Sequence, residues 1–278
     1  MEMIGFLGRG IAHERDGRPC QDAVGTRVCA NGSQVYALAD GAGSAEFAAE
    51  AAAANVAAVL DYFEETNLAL FLQMDQEQRR EEILDKCRRR LEGIQAEKTA
   101  QWYDLAATLL FFVTNGTVWA AGHLGDGIIL AQDAEGRTQL YSEPDNAGRS
   151  NATYFTVSPD AAEHLRICGG GPQEHPARVL LMSDGPCDMF RTRNGAVRTT
   201  TEELLDYVRT GDLRTAEDLA EALDQMTVYA IDRMDDWSVL ILSSDGFLEA
   251  AGGLPVHSML RREEQKRENE YKGDMENG

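Results

Sequence analysis

The sequence has few basic residues and no long apolar segment, and both absences exclude classes of function. Lysine and arginine number 26 against 47 acidic residues, which gives a formal net charge of -21. Proteins that hold a nucleic-acid backbone rely on clustered Lys and Arg, so this balance argues against a nucleic-acid partner. No apolar run approaches the roughly 18 residues that a membrane-spanning helix needs, and the apolar start is too short for a signal peptide. We therefore expect a soluble, cytoplasmic protein without a membrane partner.

The chain also lacks a cysteine framework. Its five cysteines are odd in number and widely spaced, and no two of them form a CxxC pair: Cys20, Cys29, Cys87, Cys168 and Cys187. This spacing favours free thiols in a reducing compartment over disulfides or a zinc site. With 43% hydrophobic residues, the chain can nevertheless bury a full core.

Acidic residues stand at the ends of apolar runs that predict buried strands. Runs at 34–40, 119–126 and 177–184 each end in Asp followed by Gly, and the pair Asp235-Asp236 directly precedes the run 237–242. A carboxylate at the end of a buried strand is costly to desolvate unless a cation or several donors satisfy it. If these strands are neighbours, the carboxylates repel one another unless cations neutralise them. The pattern therefore predicts a metal site.

A hairpin signal in the sequence places one of these carboxylates, Asp40, beside a further acid, Asp22. Asn31-Gly32 lies between two strand-like runs and is a strong signal for a two-residue hairpin turn. In an antiparallel hairpin, the start of the first strand lies beside the end of the second. We therefore expect Asp22 and Asp40 to be close in space.

The remaining pattern predicts an α+β fold rather than alternating βαβ units. Helices are predicted at 45–63, 75–96, 200–209 and 215–234. Strands are predicted at 106–113, 117–123, 126–132, 138–141, 153–157 and 237–243, whereas 168–176 is rich in turn formers and predicts a loop. This order favours two antiparallel sheets with helices outside. We expect one domain at 1–245 and a polar tail at 246–278 that is disordered or partly helical.

Six short motifs in this order and spacing resemble those of a known family. They are Cys20-Gln21-Asp22, Asp40-Gly41-Ala42-Gly43-Ser44, Ala107-Thr108-Leu109, Gly125-Asp126-Gly127, Ser183-Asp184-Gly185 and Asp235-Asp236-Trp237-Ser238. Together they resemble the metal-dependent protein serine/threonine phosphatases, the PPM or type-2C family, and most of all its compact bacterial branch. The resemblance covers roughly residues 4 to 244.

The resemblance implies a four-layer α-β-β-α sandwich of two mainly antiparallel sheets, with two Mn²⁺ or Mg²⁺ ions at one end. Asp40 would bridge both ions, Asp184 and Asp235 would complete one coordination sphere, and the carbonyl of Gly41 would bind the other ion. The family hydrolyses phosphate monoesters of phosphoproteins by in-line attack of a water activated by the two metal ions. A phosphorylated protein would be the substrate, and a Ser/Thr kinase is an expected partner.

Two further acids have less direct implied roles. Asp22 would act through bound water, and it completes the expected catalytic set with Asp40, Asp184 and Asp235. Asp126 matches an acid that helps hold a third, weaker ion in some members.

The sequence departs from the family pattern at the expected phosphate-binding position. Many members carry an Arg a few residues before the first acidic motif, and that spacing falls on Gly17 here. Arg15 and Arg18 flank this glycine, and either could supply the planar guanidinium that suits bidentate phosphate contact. Of the two, we favour Arg18. His13 is a further candidate donor to phosphate or to a metal-bound water.

A second departure is Ala42, where many eukaryotic members have a His that protonates the leaving group. Solvent or His13 would have to take that role. The departures leave an alternative open: a catalytically weak or silent metal-binding module of the same fold that docks phosphoproteins or a kinase. Retention of all the metal-site acids favours the enzyme.

Overall fold

The structure is a computed structural model that describes residues 1–145, 153–187, 199–226, 234–249 and 254–265. Its strands are β1 (Glu2–Arg9), β2 (Asp22–Val28), β3 (Gln34–Asp40), β4 (Leu109–Thr114), β5 (Trp119–Leu124), β6 (Ile128–Gln132), β7 (Thr138–Ser142), β8 (Arg166–Gly170), β9 (Arg178–Met182), β10 (Trp237–Ser243) and β11 (Val256–Ser258). Its helices are α1 (Ile11–Arg15), α2 (Ala48–Glu65), α3 (Leu68–Gln73), α4 (Gln76–Lys98), α5 (Ala161–His164), α6 (Asp184–Cys187), α7 (Thr199–Thr210) and α8 (Ala216–Met226). Among the described residues, no helix combines the length and the apolar character needed to cross a membrane.

The strands form two sheets. One has six strands in the order β11-β1-β10-β9-β6-β7, and the other has five in the order β2-β3-β4-β5-β8. Neighbouring strands are antiparallel except for β1 and β11, which are parallel. The two sheets therefore match the predicted antiparallel architecture.

Three apolar clusters separate four layers. Between the sheets, Leu38 and Phe112 of one sheet pack with Leu181 and Leu240 of the other. Helices α2 and α4 cover the outer face of the five-stranded sheet, and α7 and α8 cover the outer face of the six-stranded sheet. Because both faces of the central strands are covered, β9 and β10 are buried along their whole length. The α+β, α-β-β-α fold class is confirmed.

Two local predictions were wrong. The segment 153–157 forms no strand, and the predicted loop at 168–176 instead begins inside β8. There, Cys168 and Gly169 pair with Ala121 and Ala120 of β5. A side chain at Gly169 would lie 2.6 Å from the carbonyl oxygen of Trp119, so glycine here allows close pairing at the sheet edge rather than marking a loop.

The end of the chain contributes to the fold beyond the predicted domain boundary at 245. Strand β11 extends the six-stranded sheet, and a helical stretch follows at 259–265. Glu14 accepts hydrogen bonds from Ser258 Oγ at 2.7 Å and from the Leu260 backbone N–H at 3.1 Å. Residues predicted as tail at 256–265 therefore pack against the domain, while 266–278 lie outside the described residues. The 227–233 part of the helix predicted at 215–234 also lies outside them.

Candidate metal centre

The hairpin of β2 and β3 brings the first two carboxylates together. Asp22 pairs directly with Asp40 in the antiparallel register, as the sequence predicts. The turn is one residue longer than expected, since the Cys29 backbone N–H donates to the Ser33 carbonyl at 2.7 Å. Asp22 is only 6% exposed: its Oδ2 accepts a 2.6 Å hydrogen bond from Ser238 Oγ, and its Oδ1 has no partner.

Two further acids converge on Asp40, so that carboxylates from both sheets meet. Asp40 ends β3, Asp126 follows β5, and Asp184 follows β9, and one carboxylate oxygen of each lies within 4.8 Å of the other two. These three half-buried acids and Asp235 line one cleft of about 540 Å³. Strand ends from two different sheets therefore meet at one carboxylate centre.

Close backbone packing makes this convergence feasible. A Cβ at Gly41 would lie 2.5 Å from the Ala48 carbonyl oxygen, so the loop after Asp40 can lie against the start of α2 only with glycine there. At Gly185, a Cβ would lie 2.1 Å from the carbonyl oxygen of Asp236. The glycine after Asp184 therefore lets this turn pack directly against the turn that carries Asp235.

The acids raise one another's pKa. Burial, followed by the charges of Asp22, Asp184 and Asp126, raises the pKa of Asp40 well above its usual value. Burial and the charge of Asp236 likewise raise the pKa of Asp22, against the opposing effect of its hydrogen bond from Ser238. An array of mutually repelling oxygen ligands, one with an unpartnered buried oxygen, is the donor set that hard divalent cations prefer. The residues present therefore fit the metal ions that the sequence predicts.

The two acids of the 235–236 pair point in different directions. Asp235 is exposed and lines the cleft. Asp236 is 3% exposed and accepts hydrogen bonds from the backbone N–H groups of Gly10 and Gln21 and from His13. This geometry agrees with the choice of Asp235 as the candidate ligand, whose role stays a prediction.

The three candidate phosphate-binding residues lie in different surroundings. Arg18 is at the rim of the cleft, where its Nη1 donates to the Gly43 carbonyl oxygen at 3.3 Å. Arg15 is exposed at the end of α1. His13 is 4% exposed and bonded to Asp236. Burial on the inner side of α1 takes His13 out of contact with the cleft.

Three residues that shape the cleft, Thr108, Thr153 and Phe155, had no predicted role. Thr108 Oγ1 accepts a 2.9 Å hydrogen bond from the Asp40 backbone N–H, and the Thr108 N–H donates to the Asp40 carbonyl at 2.8 Å. Thr153 and Phe155 also line the cleft. Thr108 belongs to a quoted motif, but its link to Asp40 spans 68 positions and leaves no periodic signal, and none marks Thr153 or Phe155.

An α-β-β-α sandwich with a carboxylate cleft at the ends of its strands defines the class of protein. The family model described as Protein phosphatase 2C matches residues 9–224. The chain belongs to the protein phosphatase 2C family and is a metal-dependent protein phosphatase of that family. A comparison with curated proteins gives no match.

Solved structures of similar fold come from bacterial phosphatases. A bacterial serine phosphatase is 15% identical with a TM-score of 0.61, and the match covers 91% of this chain and all of the other. Serine/threonine phosphatase Stp1 from Staphylococcus aureus is 14% identical, with a TM-score of 0.60 and coverage of 88% and 96%. The S. agalactiae serine/threonine phosphatase is 15% identical, with a TM-score of 0.60 and coverage of 86% and 98%. At these identities the likeness concerns the fold.

Proposed function

We propose that this phosphatase removes phosphate from serine and threonine side chains of phosphoproteins with two Mn²⁺ or Mg²⁺ ions. The observation that carries the proposal is the group of Asp40, Asp126 and Asp184 within 4.8 Å at a solvent-accessible cleft. Bound in this cleft, the ions supply an activated water nucleophile and neutralise charge on the phosphoryl group. The similar bacterial proteins named as serine/threonine phosphatases support the substrate class.

The positions of the acids support the roles that the resemblance implies for them. Asp40 would be a ligand shared by the two ions, Asp184 and Asp235 would complete one coordination sphere, and Gly41 would offer its carbonyl oxygen to the other ion. Asp22 acts through bound water, which supplies a partner for its unpaired Oδ1. A protein of similar fold, RsbX, was solved in complex with magnesium, at 15% identity and a TM-score of 0.50.

Asp126 lies close enough to Asp40 and Asp184 to take part in the same centre. The proximity of its carboxylate to that of Asp184 supports a third ion beside the first two. Mg²⁺ and Mn²⁺ retain several waters, so one or two carboxylates are sufficient for such an ion.

Residues outside the group of acids would bind the substrate or hold the acids in place. Arg18 reaches the rim of the cleft and is the first candidate for contact with substrate phosphate, and Arg15, exposed at the end of α1, is the second. Thr108 fixes the backbone of Asp40 through two hydrogen bonds. Ala42 carries no proton donor, so solvent protonates the leaving oxygen.

Phosphoproteins and the kinases that produce them are the proposed partners. The setting we propose is the cytoplasm, where thiols stay reduced. Among the described residues, Cys20, Cys29, Cys87 and Cys168 are free thiols, which supports this setting.

The test is phosphatase activity of the Asp40→Asn variant. Wild-type protein should hydrolyse p-nitrophenyl phosphate and phosphoserine peptides with Mn²⁺ and lose activity with EDTA, and Asp40→Asn should lose at least a hundredfold in kcat, in line with removal of a central charge-stabilising group. Asp85→Asn, an exposed acid on α4, is the matched control and should retain activity. Unchanged turnover in Asp40→Asn would contradict the assignment, and Mn²⁺ binding without turnover of any substrate would favour the silent module.

A further inference from the structure

Asp236 is a buried carboxylate that collects hydrogen-bond donors from the start of the chain. Its Oδ1 accepts from the Gly10 backbone N–H at 2.6 Å, and its Oδ2 accepts from the Gln21 backbone N–H at 2.5 Å. His13 Nδ1 lies 2.7 Å from the same Oδ2. Burial of a carboxylate is costly unless such donors satisfy it, and here three of them do.

The residues bonded to Asp236 connect three turns of the metal centre. The Gln21 carbonyl oxygen accepts from the Gly41 N–H at 3.1 Å, and Gln21 directly precedes Asp22. On the other side, the Asp236 N–H donates to Asp235 Oδ1 at 2.9 Å. One carboxylate thus links the turns that carry Asp22, Gly41 and Asp235.

The contact between α1 and the 234–236 turn is tight as well as polar. The Ala12 N–H donates to the Met234 carbonyl oxygen at 3.0 Å. A Cβ at Gly10 would lie 2.4 Å from the carbonyl carbon of Asp235, so no larger residue fits between the two backbones. His13, buried on α1, adds its hydrogen bond to Asp236 at this contact.

A metal ion held by this group is the competing explanation. His13, Asp235 and Asp236 each offer a ligand atom within 4.8 Å of the others. Both oxygens of Asp236 already accept backbone N–H groups, however, and Asp235 faces the cleft. The arrangement therefore fits hydrogen bonding better than metal coordination.

We infer that His13 and Asp236 form a positioning pair that sets the geometry of the metal ligands without touching metal or substrate. The inference rests on the proposed function, because it concerns ligands of the proposed ions. His13 fixes the Asp236 carboxylate, and Asp236 in turn fixes the backbone on both sides of the site. Removing a group that orients the metal ligands without binding the metal lowers metal affinity about 10- to 100-fold.

The test compares three His13 variants by calorimetric titration with Mn²⁺. In His13→Asn, the side-chain amide nitrogen takes the place of Nδ1 and retains the donor to Asp236. In His13→Gln, the amide lies one bond further out, and in His13→Ala the donor is lost. We expect Mn²⁺ affinity to fall at least tenfold in His13→Gln and His13→Ala and to stay within about threefold of wild type in His13→Asn. Asp236→Asn, which replaces an acceptor by an amide that faces backbone N–H groups, should weaken binding at least as much.

Thermal unfolding in EDTA separates positioning from general destabilisation. His257→Ala is the matched control, since His257 stacks on Phe6 with 4.9 Å between ring centroids and does not contact Asp236. If all His13 variants bind Mn²⁺ with the affinity of the wild type, the inference is overturned, whatever their unfolding midpoints. Equal loss in His13→Asn and His13→Ala also overturns it, because that pattern indicates a metal ligand. Absence of Mn²⁺ binding in the wild type contradicts the proposed function itself.

Discussion

Gly41 and Gly43 lie two residues apart in the loop after Asp40, yet their surroundings differ. A Cβ at Gly41 would lie 2.5 Å from the carbonyl oxygen and 2.6 Å from the carbonyl carbon of Ala48. A Cβ at Gly43 would meet no atom within 4 Å. Because the obstacle at Gly41 is helix backbone rather than a flexible side chain, the loop itself would have to move.

Gly41→Ala should therefore separate the loop from α2, whereas Gly43→Ala should not. We expect Gly41→Ala to lower the free energy of unfolding by about 1–3 kcal/mol, the usual cost of overpacking, and to weaken Mn²⁺ binding. Gly43→Ala should stay within about 0.5 kcal/mol of wild type, as surface substitutions do. Urea unfolding followed by circular dichroism measures both. Equal stability of the two variants would show that the loop adapts to the extra methyl group.

The position of a residue was predictable from the sequence where its neighbours follow from strand register. The adjacency of Asp22 and Asp40 follows from one hairpin, and the structure has that pairing. The environment of His13 depends instead on Asp236, which is 223 positions away. No local periodicity reports such a contact, so the burial of His13 was not predictable from its polar neighbours in the sequence.

Helix α2 connects the carboxylate loop to the rest of the fold through one buried polar side chain. Asn55 is fully buried, and its Nδ2 donates to Thr156 Oγ1 at 2.9 Å and lies 3.3 Å from the Thr108 carbonyl oxygen. Thr108 in turn holds the backbone of Asp40. The alanine-rich face of α2 brings the helix close to the sheet, and Asn55 fixes its position there.

Asn55→Ala should destabilise the protein by about 1–3 kcal/mol. The loss follows because the buried Thr108 carbonyl oxygen and Thr156 Oγ1 would lose their donor, and water cannot easily replace it. Differential scanning calorimetry without metal measures the change. Glu50→Gln, at an exposed position of the same helix, should shift stability by no more than about 0.5 kcal/mol. A comparable loss in both variants would mean that helix formation, rather than docking, limits stability.

The elements themselves were predictable where periodicity was strong. The two long helices were predicted at 45–63 and 75–96 and lie at Ala48–Glu65 and Gln76–Lys98. The error at β8 has a physical cause, because two glycines in Cys168–Pro176 read as turn formers although they serve close strand pairing. Glycine allows both turns and tight edge strands, and the sequence alone does not separate these uses.

The whole molecule carries a net charge of -21, and four of its acids line the cleft. Burial and mutual repulsion raise the pKa of both Asp22 and Asp40 in the folded state. An acid whose pKa is raised by folding contributes stability at low pH, and this contribution is lost as pH rises through the raised value. The electrostatic cost of the metal-free fold therefore grows as pH rises, and cations bound at these carboxylates would offset it.

Mn²⁺ should consequently stabilise the protein more at pH 7.5 than at pH 5. More of these carboxylates are charged at pH 7.5 than at pH 5, and at the lower pH protons compete with the cation for the acids whose pKa is raised. With free Mn²⁺ at 100 times its dissociation constant, a site adds about 2.7 kcal/mol, which corresponds to a rise of about 5–10 °C in the unfolding midpoint at this chain length. Thermal unfolding with Mn²⁺ or EDTA at matched ionic strength measures the difference. Asp40→Asn should unfold at a higher temperature than wild type in EDTA at pH 7.5, because one repelling charge is gone, and should gain little from Mn²⁺. An equal Mn²⁺ shift at both pH values would contradict the coupling between protons and cations at these carboxylates.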